Sequence, residues 1–372
     1  MKLHSNKILL LQFLVAFLVA GFLFNFLNKE NTSFEDLALG TSSSSYQAKN
    51  KNSELIHFLH LDSSEILVFN KLRSKLADSI SLFLGNSQTH SINQLKNGEV
   101  NYVELISREQ QYKNKILALS FPNANLQELF LSFHYVLSKK KVRTLILPIF
   151  MDDLREDGIR EVFFSGLMEN GFCIKDKNEV SHSINGQLKL GSTSKKSSKK
   201  VEQTTQERSE SFLNNYLNAH SDLWAQRENM RGNLFNWTYM LRNTILGIRP
   251  GSVRKMMPDQ YGKNMQALEE ILKLAEKNKT KVYLYIPPIR SDVPLPYDKS
   301  EYETFKNDLS ALCQKYKGNT QLKDYSKIVP GNLWGFKEAT NFIDKCELDF
   351  MHFQYKGHQI LADSLIQFIT KH

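Results

Sequence analysis

The chain has 372 residues, of which 41% are hydrophobic and 23% charged, a composition typical of a globular protein with a sizeable core. Its formal net charge is +9, but much of the excess lies in one short lysine-rich run, residues 195–200. Because no aromatic residues are interleaved with these lysines, the run is typical of a solvated linker. We therefore expect no nucleic-acid partner.

The N-terminus carries a run of 20 residues without a charged side chain, residues 8–27. As a helix, such a run is long enough to span the ~30 Å hydrocarbon core of a membrane. Two lysines precede it and three acidic residues follow it, a bias that favours a cytoplasmic N-terminus. A cleaved signal peptide is the alternative, but its apolar core would be shorter and would end in an Ala-x-Ala-like site. We predict that residues 1–28 form a cytoplasmic tip and a single-pass signal anchor in the inner membrane, with the main domain in the periplasm.

Residues 29–52 are polar and rich in Ser, Thr, Asn and Lys, which predicts a flexible tether. From Ser53 onward, short apolar runs alternate with amphipathic helical patterns. The predicted strands cover residues 80–84, 116–121, 142–149 and 281–286, and the clearest helical patterns cover residues 126–137, 265–275, 302–316 and 360–369. This alternation predicts one domain, residues 53–372, with a parallel sheet and helices on both faces.

Residues 175–262 interrupt the alternation and are predicted to be an insertion. Residues 191–211 are poor in apolar side chains, which predicts a loop or a disordered excursion, whereas residues 212–261 are aromatic and predicted to be helical. Such an insertion would cover the active site or form a surface for a partner.

Three cysteines are present, Cys173, Cys313 and Cys346, so an oxidising compartment would leave at least one thiol free. Cys313 and Cys346 are a candidate disulfide pair. No Cys/His spacing is typical of zinc, and no glycine-rich loop is suited to a phosphate group. We expect neither a metal nor a cofactor.

Ser87 follows the first strong strand and the turn residues Gly85 and Asn86. Ligands of open α/β sheets collect at the carboxyl ends of the strands, so Ser87 is a candidate nucleophile if a base reaches its hydroxyl. A turn that merely connects a strand to a helix is the alternative. Thr89 stands where the second glycine of a Gly-x-Ser-x-Gly elbow would be, which argues against an ordinary α/β-hydrolase.

His352 is the candidate base, because Asp349 precedes it by three residues. On a turn or a short helical loop, this spacing lets the carboxylate accept the Nδ1 proton and leaves Nε2 free to take the serine proton. A surface histidine beside an acidic helix cap is the alternative.

Two sequence blocks resemble the SGNH/GDSL hydrolase superfamily: Gly85, Asn86, Ser87 and Gln88 in the first, and Asp349, His352, Gly357, His358, Leu361 and Ala362 in the second. They are most similar to its membrane-anchored branch, which accompanies membrane-bound O-acyltransferases in modifying bacterial cell-envelope polysaccharide. The resemblance implies a flavodoxin-like α/β/α sandwich with a parallel sheet and a Ser–His–Asp triad.

By this resemblance, Ser87 is the nucleophile, His352 the general base and acid, and Asp349 the orienting carboxylate. The Ser87 backbone N–H would form the oxyanion hole together with a donor from the loop after the second strand, for which Asn123 and Asn125 are the candidates. The sequence departs from the family pattern in three places. Asn123 stands where the family's second block has a glycine, although its backbone N–H would still serve. Asn86 replaces the usual aspartate, and residues 149–153 contain no asparagine where a Gly-x-Asn-Asp block is expected.

Three further residues are candidates for binding substrate: His90, Arg290 and Trp334. His90 is expected on the next helix near the mouth of the site, and Arg290 would line the cleft and meet an anionic group. Trp334 would stack on a sugar, although an aromatic residue of the core is the alternative.

The function expected from these features is acyl transfer or ester hydrolysis on an acylated envelope glycan, outside the cytoplasmic membrane, through an acyl-enzyme on Ser87. A membrane-bound O-acyltransferase is the expected protein partner. The first alternative is a catalytically degenerate domain that binds glycan or scaffolds the acyltransferase, and the second is a secreted lipase or esterase.

Overall fold

The computed structural model describes residues 42–112, 114–195, 205–249 and 251–370, together with Val15. These residues separate into two compact units. The larger unit contains the described residues of 42–195, 251–337 and 348–370, and the smaller contains 205–249 and 338–347.

The structure contains ten strands along the described chain. They are β1 (Ser43–Ser45), β2 (His57–Phe58), β3 (Ser79–Gly85), β4 (Ser91–Asn93), β5 (Ile116–Ser120), β6 (Lys141–Pro148), β7 (Lys281–Ile286), β8 (Thr320–Asp324), β9 (Trp334–Glu338) and β10 (Cys346–Phe353). The helices are α1 (Ser63–Arg73), α2 (Ser87–His90), α3 (Tyr102–Ser107), α4 (Leu126–Leu137), α5 (Glu161–Glu169), α6 (Glu179–Lys195), α7 (Thr205–His220), α8 (Asp222–Ala225), α9 (Arg227–Ile245), α10 (Pro258–Lys277), α11 (Lys299–Lys315) and α12 (Tyr355–Thr370).

The larger unit is built on a six-stranded parallel sheet with the order β2-β5-β3-β6-β7-β8. Apart from the short edge strand β2, this is the order of a flavodoxin-like sheet, in which the second strand along the chain lies outside the first. Helix α4 packs against α10, and α3 packs against α12. The predicted α/β fold with a parallel central sheet is confirmed.

The buried apolar runs explain why these strands form the centre of the sheet. Leu82, Phe83 and Leu84 of β3 are fully buried, and every residue of β5 is buried. Near-continuous apolar strands of this kind are typical of parallel sheets that helices cover on both faces. Helix α4 begins at a capping box, in which Asn125 and Glu128 satisfy each other's backbone N–H groups.

The smaller unit contains α7, α8 and α9 with the segment 338–347 that joins β9 to β10. The Asn243 side-chain amide donates to the Thr340 carbonyl at 2.9 Å, and the Phe342 N–H donates to Thr244 Oγ1 at 3.0 Å. The helical insertion is therefore narrower than the predicted 175–262, and it includes a segment that is distant in sequence. Helix α6 belongs instead to the larger unit, where it packs against α4, α5 and α10.

Three further predictions need correction. Residues 42–52, assigned to the flexible tether, include strand β1, which pairs antiparallel with β4. Part of the expected loop at residues 191–211 is helical, because α6 extends to Lys195 and α7 begins at Thr205. All three cysteines are free thiols, so the candidate disulfide is not formed.

The predicted membrane anchor, residues 8–27, lies outside the described residues apart from Val15. Within the described part of the chain, no helix has the length and apolar character needed to cross a membrane.

Candidate active site

Ser87 lies at the carboxyl end of β3, where the strand order of the sheet reverses. The next two strands of this sheet along the chain, β5 and β6, lie on opposite sides of β3, and such a switch point opens a crevice at the strand ends. Helix α2 follows at once and carries Ser87 as its first residue. Gly85 permits this close turn, because a Cβ atom there would lie 2.1 Å from Thr89 Oγ1. The sheet topology thus places Ser87 where open α/β sheets bind ligands.

His352 reaches Ser87 from the far end of the sequence. Its Nε2 atom lies 3.0 Å from Ser87 Oγ, and both side chains are buried. His352 stands on strand β10 rather than on the expected turn or short helical loop. At this distance, a neutral imidazole can accept the hydroxyl proton and so activate the serine.

Asp349 holds the other nitrogen of the imidazole. Its Oδ2 atom lies 3.0 Å from His352 Nδ1, and Oδ1 accepts the backbone N–H groups of Met351 and His352, each at 2.9 Å. The side chain is only 2% exposed. Burial by itself would raise the pKa of this carboxyl, but the charge of His352 and these hydrogen bonds outweigh burial and hold the pKa below its usual range. The carboxylate therefore stays ionised and fixes the tautomer in which Nε2 is free for Ser87.

Two side chains from outside the predicted motifs also contact Asp349 Oδ2. Asn93 Nδ2 donates to it at 3.1 Å and Ser43 Oγ at 3.2 Å. Sequence analysis missed both residues, because neither lies in an apolar pattern or near a recognised block.

Gln88 and Asn86 fix the turn that carries the nucleophile. Gln88 Nε2 donates to the carbonyls of Pro288 and Met351, at 2.8 and 2.6 Å, which ties α2 to β10. Asn86 Oδ1 accepts the Gln88 N–H at 3.1 Å, and Asn86 Nδ2 donates to Asp153 Oδ1 at 2.7 Å. Burial raises the pKa of Asp153 to about 8, so at neutral pH this carboxyl is largely protonated.

Two backbone N–H groups are suited to an oxyanion hole. Those of Ser87 and Asn123 have no partner among the described residues. Asn123 has a φ of 49°, a conformation that favours glycine but that asparagine also adopts. The Phe121 N–H donates to the Gly85 carbonyl at 3.1 Å, which holds the Asn123 loop against the end of β3.

The structure assigns Asn125 a different role from the expected oxyanion donor. Its Oδ1 accepts the Glu128 N–H at 3.0 Å and its Nδ2 donates to the Gly158 carbonyl at 2.8 Å. The side chain is fully buried as the cap of α4. A helix cap and an oxyanion donor have the same sequence signature, an asparagine just after a strand, so only the structure separates them.

The three residues proposed to bind substrate are each held by the protein itself. His90 is fully buried, not at the mouth of the site, and its Nδ1 lies 2.7 Å from Ser120 Oγ. Trp334 is a buried core residue whose indole N–H donates to the Val329 carbonyl at 3.3 Å. Arg290 lines a cleft of about 630 Å³, but Asp292 pairs with its guanidinium at 2.9 Å.

A second polar cluster consists of Ser120, His57 and His90, the last residue of α2. Ser120, at the end of β5, stands between two fully buried histidines, with 2.7 Å to His57 Nε2 and 2.7 Å to His90 Nδ1. Burial lowers the pKa of His57 to about 3, and that of His90 falls well below its usual value. Both imidazoles are therefore neutral. Among the described residues, no three His, Cys, Asp or Glu side chains are grouped so as to hold a metal ion.

Comparison with protein-family models gives no match, and no curated protein matches the sequence. Solved structures give weak matches. An α/β hydrolase enzyme from the metagenome of Lake Arreo, Spain, is 10% identical, with a TM-score of 0.36, and the match covers 78% of this chain and 95% of that one. An acetylxylan esterase from Geobacillus stearothermophilus is 9% identical, with a TM-score of 0.38, and the match covers 79% of this chain and 95% of that one. A GDSL-like lipase from Bacteroides thetaiotaomicron is 12% identical, with a TM-score of 0.35, and the match covers 82% of this chain and 96% of that one.

Likeness at this level is too low to transfer an activity. The function of the chain has to be judged from its own side chains, and there Ser87, His352 and Asp349 form a continuous hydrogen-bonded chain.

Proposed function

We propose that this protein is a serine-dependent esterase or O-acyltransferase of the SGNH type, with Ser87, His352 and Asp349 as its triad. The observation that carries the proposal is the chain from Asp349 Oδ2 through both ring nitrogens of His352 to Ser87 Oγ, with 3.0 Å at each step. It joins residues that are 265 positions apart in sequence, at the switch point of the sheet. A serine turn with a merely structural role does not require a base and an orienting carboxylate aligned in this way.

In the acylation half-reaction, Ser87 Oγ attacks the carbonyl carbon of an ester while its proton passes to His352 Nε2. Asp349 remains ionised and stabilises the imidazolium that forms. The negative charge on the carbonyl oxygen is met by the backbone N–H groups of Ser87 and Asn123, and each such donor is typically worth about 3 kcal/mol in the transition state. As the carbon–oxygen bond to the leaving alcohol breaks, His352 returns the proton to that oxygen, and the acyl group stays on Ser87.

In the second half-reaction, His352 Nε2 takes a proton from an incoming hydroxyl, which attacks the acyl-serine. Water as the acceptor gives a carboxylic acid, and a sugar hydroxyl gives a new ester. In both cases the proton returns from His352 to Ser87 Oγ as the acyl–serine bond breaks. The same three side chains thus serve hydrolysis and transfer.

Turnover of p-nitrophenyl acetate tests this function. We expect the full chain to release nitrophenol, and Ser87→Ala and His352→Ala to lose at least about a thousandfold in kcat. Ser45→Ala is the matched control, because Ser45 is exposed and lies outside the triad. Equal rates for the wild type and Ser87→Ala, with both proteins folded, would overturn the proposal.

We further propose that the acceptor or substrate is an acylated glycan of the cell envelope and that residues 8–27 anchor the protein in the inner membrane, beside a membrane-bound O-acyltransferase. The support is the resemblance of the two sequence blocks, the uncharged run and the charge bias around it. Fractionation with and without residues 1–41, followed by acetyl release from envelope polysaccharide, tests both points. Recovery of the full chain in the soluble fraction would contradict the anchor.

One observation favours a second candidate, a degenerate domain that binds glycan without turning it over. Asn125 is used as a helix cap, and residues 149–153 contain no asparagine, so neither Asn125 nor that block supplies a side-chain oxyanion donor. Saturable glycan binding by both the wild type and Ser87→Ala, with no acyl release from either, would favour this candidate.

A further inference from the structure

The carboxylate of Asp349 accepts hydrogen bonds from two side chains besides His352. Its Oδ2 atom has three donors within hydrogen-bond distance: His352 Nδ1 at 3.0 Å, Asn93 Nδ2 at 3.1 Å and Ser43 Oγ at 3.2 Å. Ser43 and Asn93 also contact each other, since Asn93 Nδ2 lies 3.1 Å from Ser43 Oγ. All of these side chains are buried, so water does not compete for the carboxylate.

Ser43 reaches Asp349 only because β1 is docked on β4. Three residue pairs form the antiparallel register, with Ser43 opposite Asn93. The Gln94 N–H donates to the Ser42 carbonyl and the Tyr46 N–H to the His90 carbonyl, each at 2.6 Å. The second of these bonds attaches β1 to the end of α2, the helix that begins at Ser87.

The side chain of Asn93 packs closely against strand β9. A Cβ atom on Gly335 would lie 1.6 Å from Asn93 Oδ1, so glycine is needed for β9 to pass so close to this amide. The Phe336 carbonyl accepts a hydrogen bond from Asn93 Nδ2 at 3.1 Å and another from Ser42 Oγ. Strands β1 and β4 therefore each supply a donor to Asp349 Oδ2, and β9 packs against the donor from β4.

We propose that Ser43 is a positioning residue of the triad, and that docking of β1 completes the active site by fixing the orientation of Asp349. The proposal rests on the proposed function of Ser87, His352 and Asp349. With β1 docked, the hydroxyl of Ser43 and the amide of Asn93 restrict rotation of the carboxylate, so that Oδ2 stays aligned with His352 Nδ1. Without them, Oδ2 has His352 as its only side-chain donor within the described residues.

The test compares Ser43→Ala, Ser43→Thr, Gly335→Ala and the control Ser45→Ala in the full chain. We expect Ser43→Ala to lower kcat for p-nitrophenyl acetate about tenfold, which corresponds to about 1.4 kcal/mol. KM should stay unchanged, because Ser43 acts on the carboxylate and not on the ester. Ser43→Thr restores the hydroxyl and should restore kcat. Gly335→Ala leaves the sequence of β1 unchanged but displaces the Asn93 amide, so it should also lower kcat.

The control residue, Ser45, lies on β1 like Ser43, but its exposed side chain is not part of the contact with Asp349. Ser45 also pairs with β4, through Ser91, but its side chain is exposed, so Ser45→Ala should match the wild type in kcat and in melting temperature. If Ser43→Ala has the kcat of Ser45→Ala, or if Ser43→Thr fails to restore a lost kcat, the positioning role is wrong.

A spectroscopic readout separates this proposal from the proposed function. The Nδ1 proton of His352, held against a buried carboxylate, should give a downfield proton resonance in the wild type, and Ser43→Ala should broaden or remove it while Ser43→Thr retains it. This holds even for a chain that turns over no ester, in which case only the proposed function fails. An identical downfield resonance in the wild type and Ser43→Ala would overturn the positioning role.

Discussion

Asp349 and Asp153 are two buried carboxyl groups near Ser87 whose pKa values are moved in opposite directions. Burial opposes ionisation of both. Around Asp349, the His352 imidazole and two backbone N–H groups outweigh burial and keep the carboxylate charged. Around Asp153, burial prevails over the hydrogen bonds from Phe150 and Asn86, and the pKa rises to about 8. One carboxyl can thus orient a base while the other holds the nucleophile turn in its neutral form.

The charge on Asp349 leads to a prediction for Asp349→Asn. The amide offers a donor where the triad needs an acceptor, so His352 would turn to the tautomer whose Nε2 carries a proton and cannot accept one from Ser87. We expect kcat to fall about 10⁴-fold. The free energy of unfolding should fall by about 1–3 kcal/mol, because the buried amide faces hydrogen-bond donors in either orientation. Steady-state kinetics beside thermal unfolding measures both, and a loss of less than about tenfold would contradict the assigned role.

The raised pKa of Asp153 gives a prediction for stability. Between pH 3.8, the ordinary pKa of this carboxyl in the unfolded chain, and about pH 8, its pKa in the folded protein, the folded state keeps a proton that the unfolded state has lost. The free energy of unfolding should therefore fall as the pH rises through this window, by about 1.4 kcal/mol per pH unit. Asp153→Asn lacks the titrating group. From pH 6 to pH 8, the free energy of unfolding measured with denaturant should fall by about 2 kcal/mol more in the wild type than in this variant. An equal fall in both proteins would show that the pKa of Asp153 is not raised.

At the residue scale, the sequence singled out the three side chains that the structure joins by hydrogen bonds, Ser87, His352 and Asp349, but not the side chains that contact them. Ser87 follows a strong apolar strand, and Asp349 and His352 share a recognisable spacing. His90 was expected near the mouth of the site because it follows Ser87 by three residues, and Trp334 near a sugar because it is aromatic, but both are buried. Residue type and sequence position cannot distinguish a side chain that lines a cleft from one packed behind it.

At the scale of elements, strand length and apolar pattern decide what can be predicted. The strands with strong apolar runs, β3, β5, β6 and β7, were found within a residue or two of their observed ends. Strand β1 consists of three serines, carries no apolar pattern and is held by pairing with β4, so its sequence is indistinguishable from that of a tether. The antiparallel pair β9 and β10 was also missed, although β10 carries the histidine.

The turn between β3 and α2 gives a prediction for Gly85→Ala. A methyl group there would lie 2.1 Å from Thr89 Oγ1, so α2 must shift and move Ser87 away from His352. We expect a loss of about 1–3 kcal/mol in unfolding free energy and a fall of about a hundredfold in kcat, since small misplacements of reacting groups are costly.

Gly186→Ala is the matched control for that substitution. Gly186 lies in helix α6, is exposed, and has open space where a Cβ would be placed. Alanine is the better helix former by about 1 kcal/mol, so this variant should be slightly more stable and equally active. If Gly85→Ala behaved like Gly186→Ala, the close packing of α2 on β3 would be wrong.

At the scale of the whole chain, buried neutral histidines should make stability depend on pH. Burial lowers the pKa of His57 and His358 from the ordinary value of 6.5 to about 3, and that of His134 to about 4. Because the folded-state pKa values are depressed, the unfolded chain binds protons first as the pH falls below about 6.5. Their contribution to stability is complete above that value and is lost progressively toward pH 3–4.

For each such histidine, the free energy of unfolding should be about 2 kcal/mol lower at pH 5 than at pH 7. Denaturant unfolding at the two pH values measures the loss, and His57→Asn should reduce it by about that amount. His182 is exposed on α6, so His182→Asn should leave the loss unchanged. An equal pH dependence in the wild type and His57→Asn would show that His57 is not buried in its neutral form.

The sheet topology connects these scales. The strand order reverses at β3, which brings the segment after the first strong strand and the segment before the last helix to one edge of the sheet. The alternating pattern predicted the place of Ser87, because parallel strands with helical crossovers put their carboxyl ends together. It did not predict β10, which carries Asp349 and His352 and pairs with β9 outside the parallel sheet. It did not predict the smaller unit, where a helical segment and residues 338–347 are joined by contacts that no sequence pattern records.

Covalent labelling of the proposed nucleophile with a fluorophosphonate, which loses fluoride as a serine oxygen bonds to phosphorus, is the measurement that tests the central claim most directly. The full chain would be treated with a fluorophosphonate, digested, and its modified peptide identified by mass spectrometry, with Ser87→Ala and His352→Ala alongside. The proposed triad predicts a single modification, on Ser87, that is absent from Ser87→Ala and greatly slowed in His352→Ala. An unmodified Ser87 in folded wild-type protein, or equal labelling of Ser87 in wild type and His352→Ala, would contradict it.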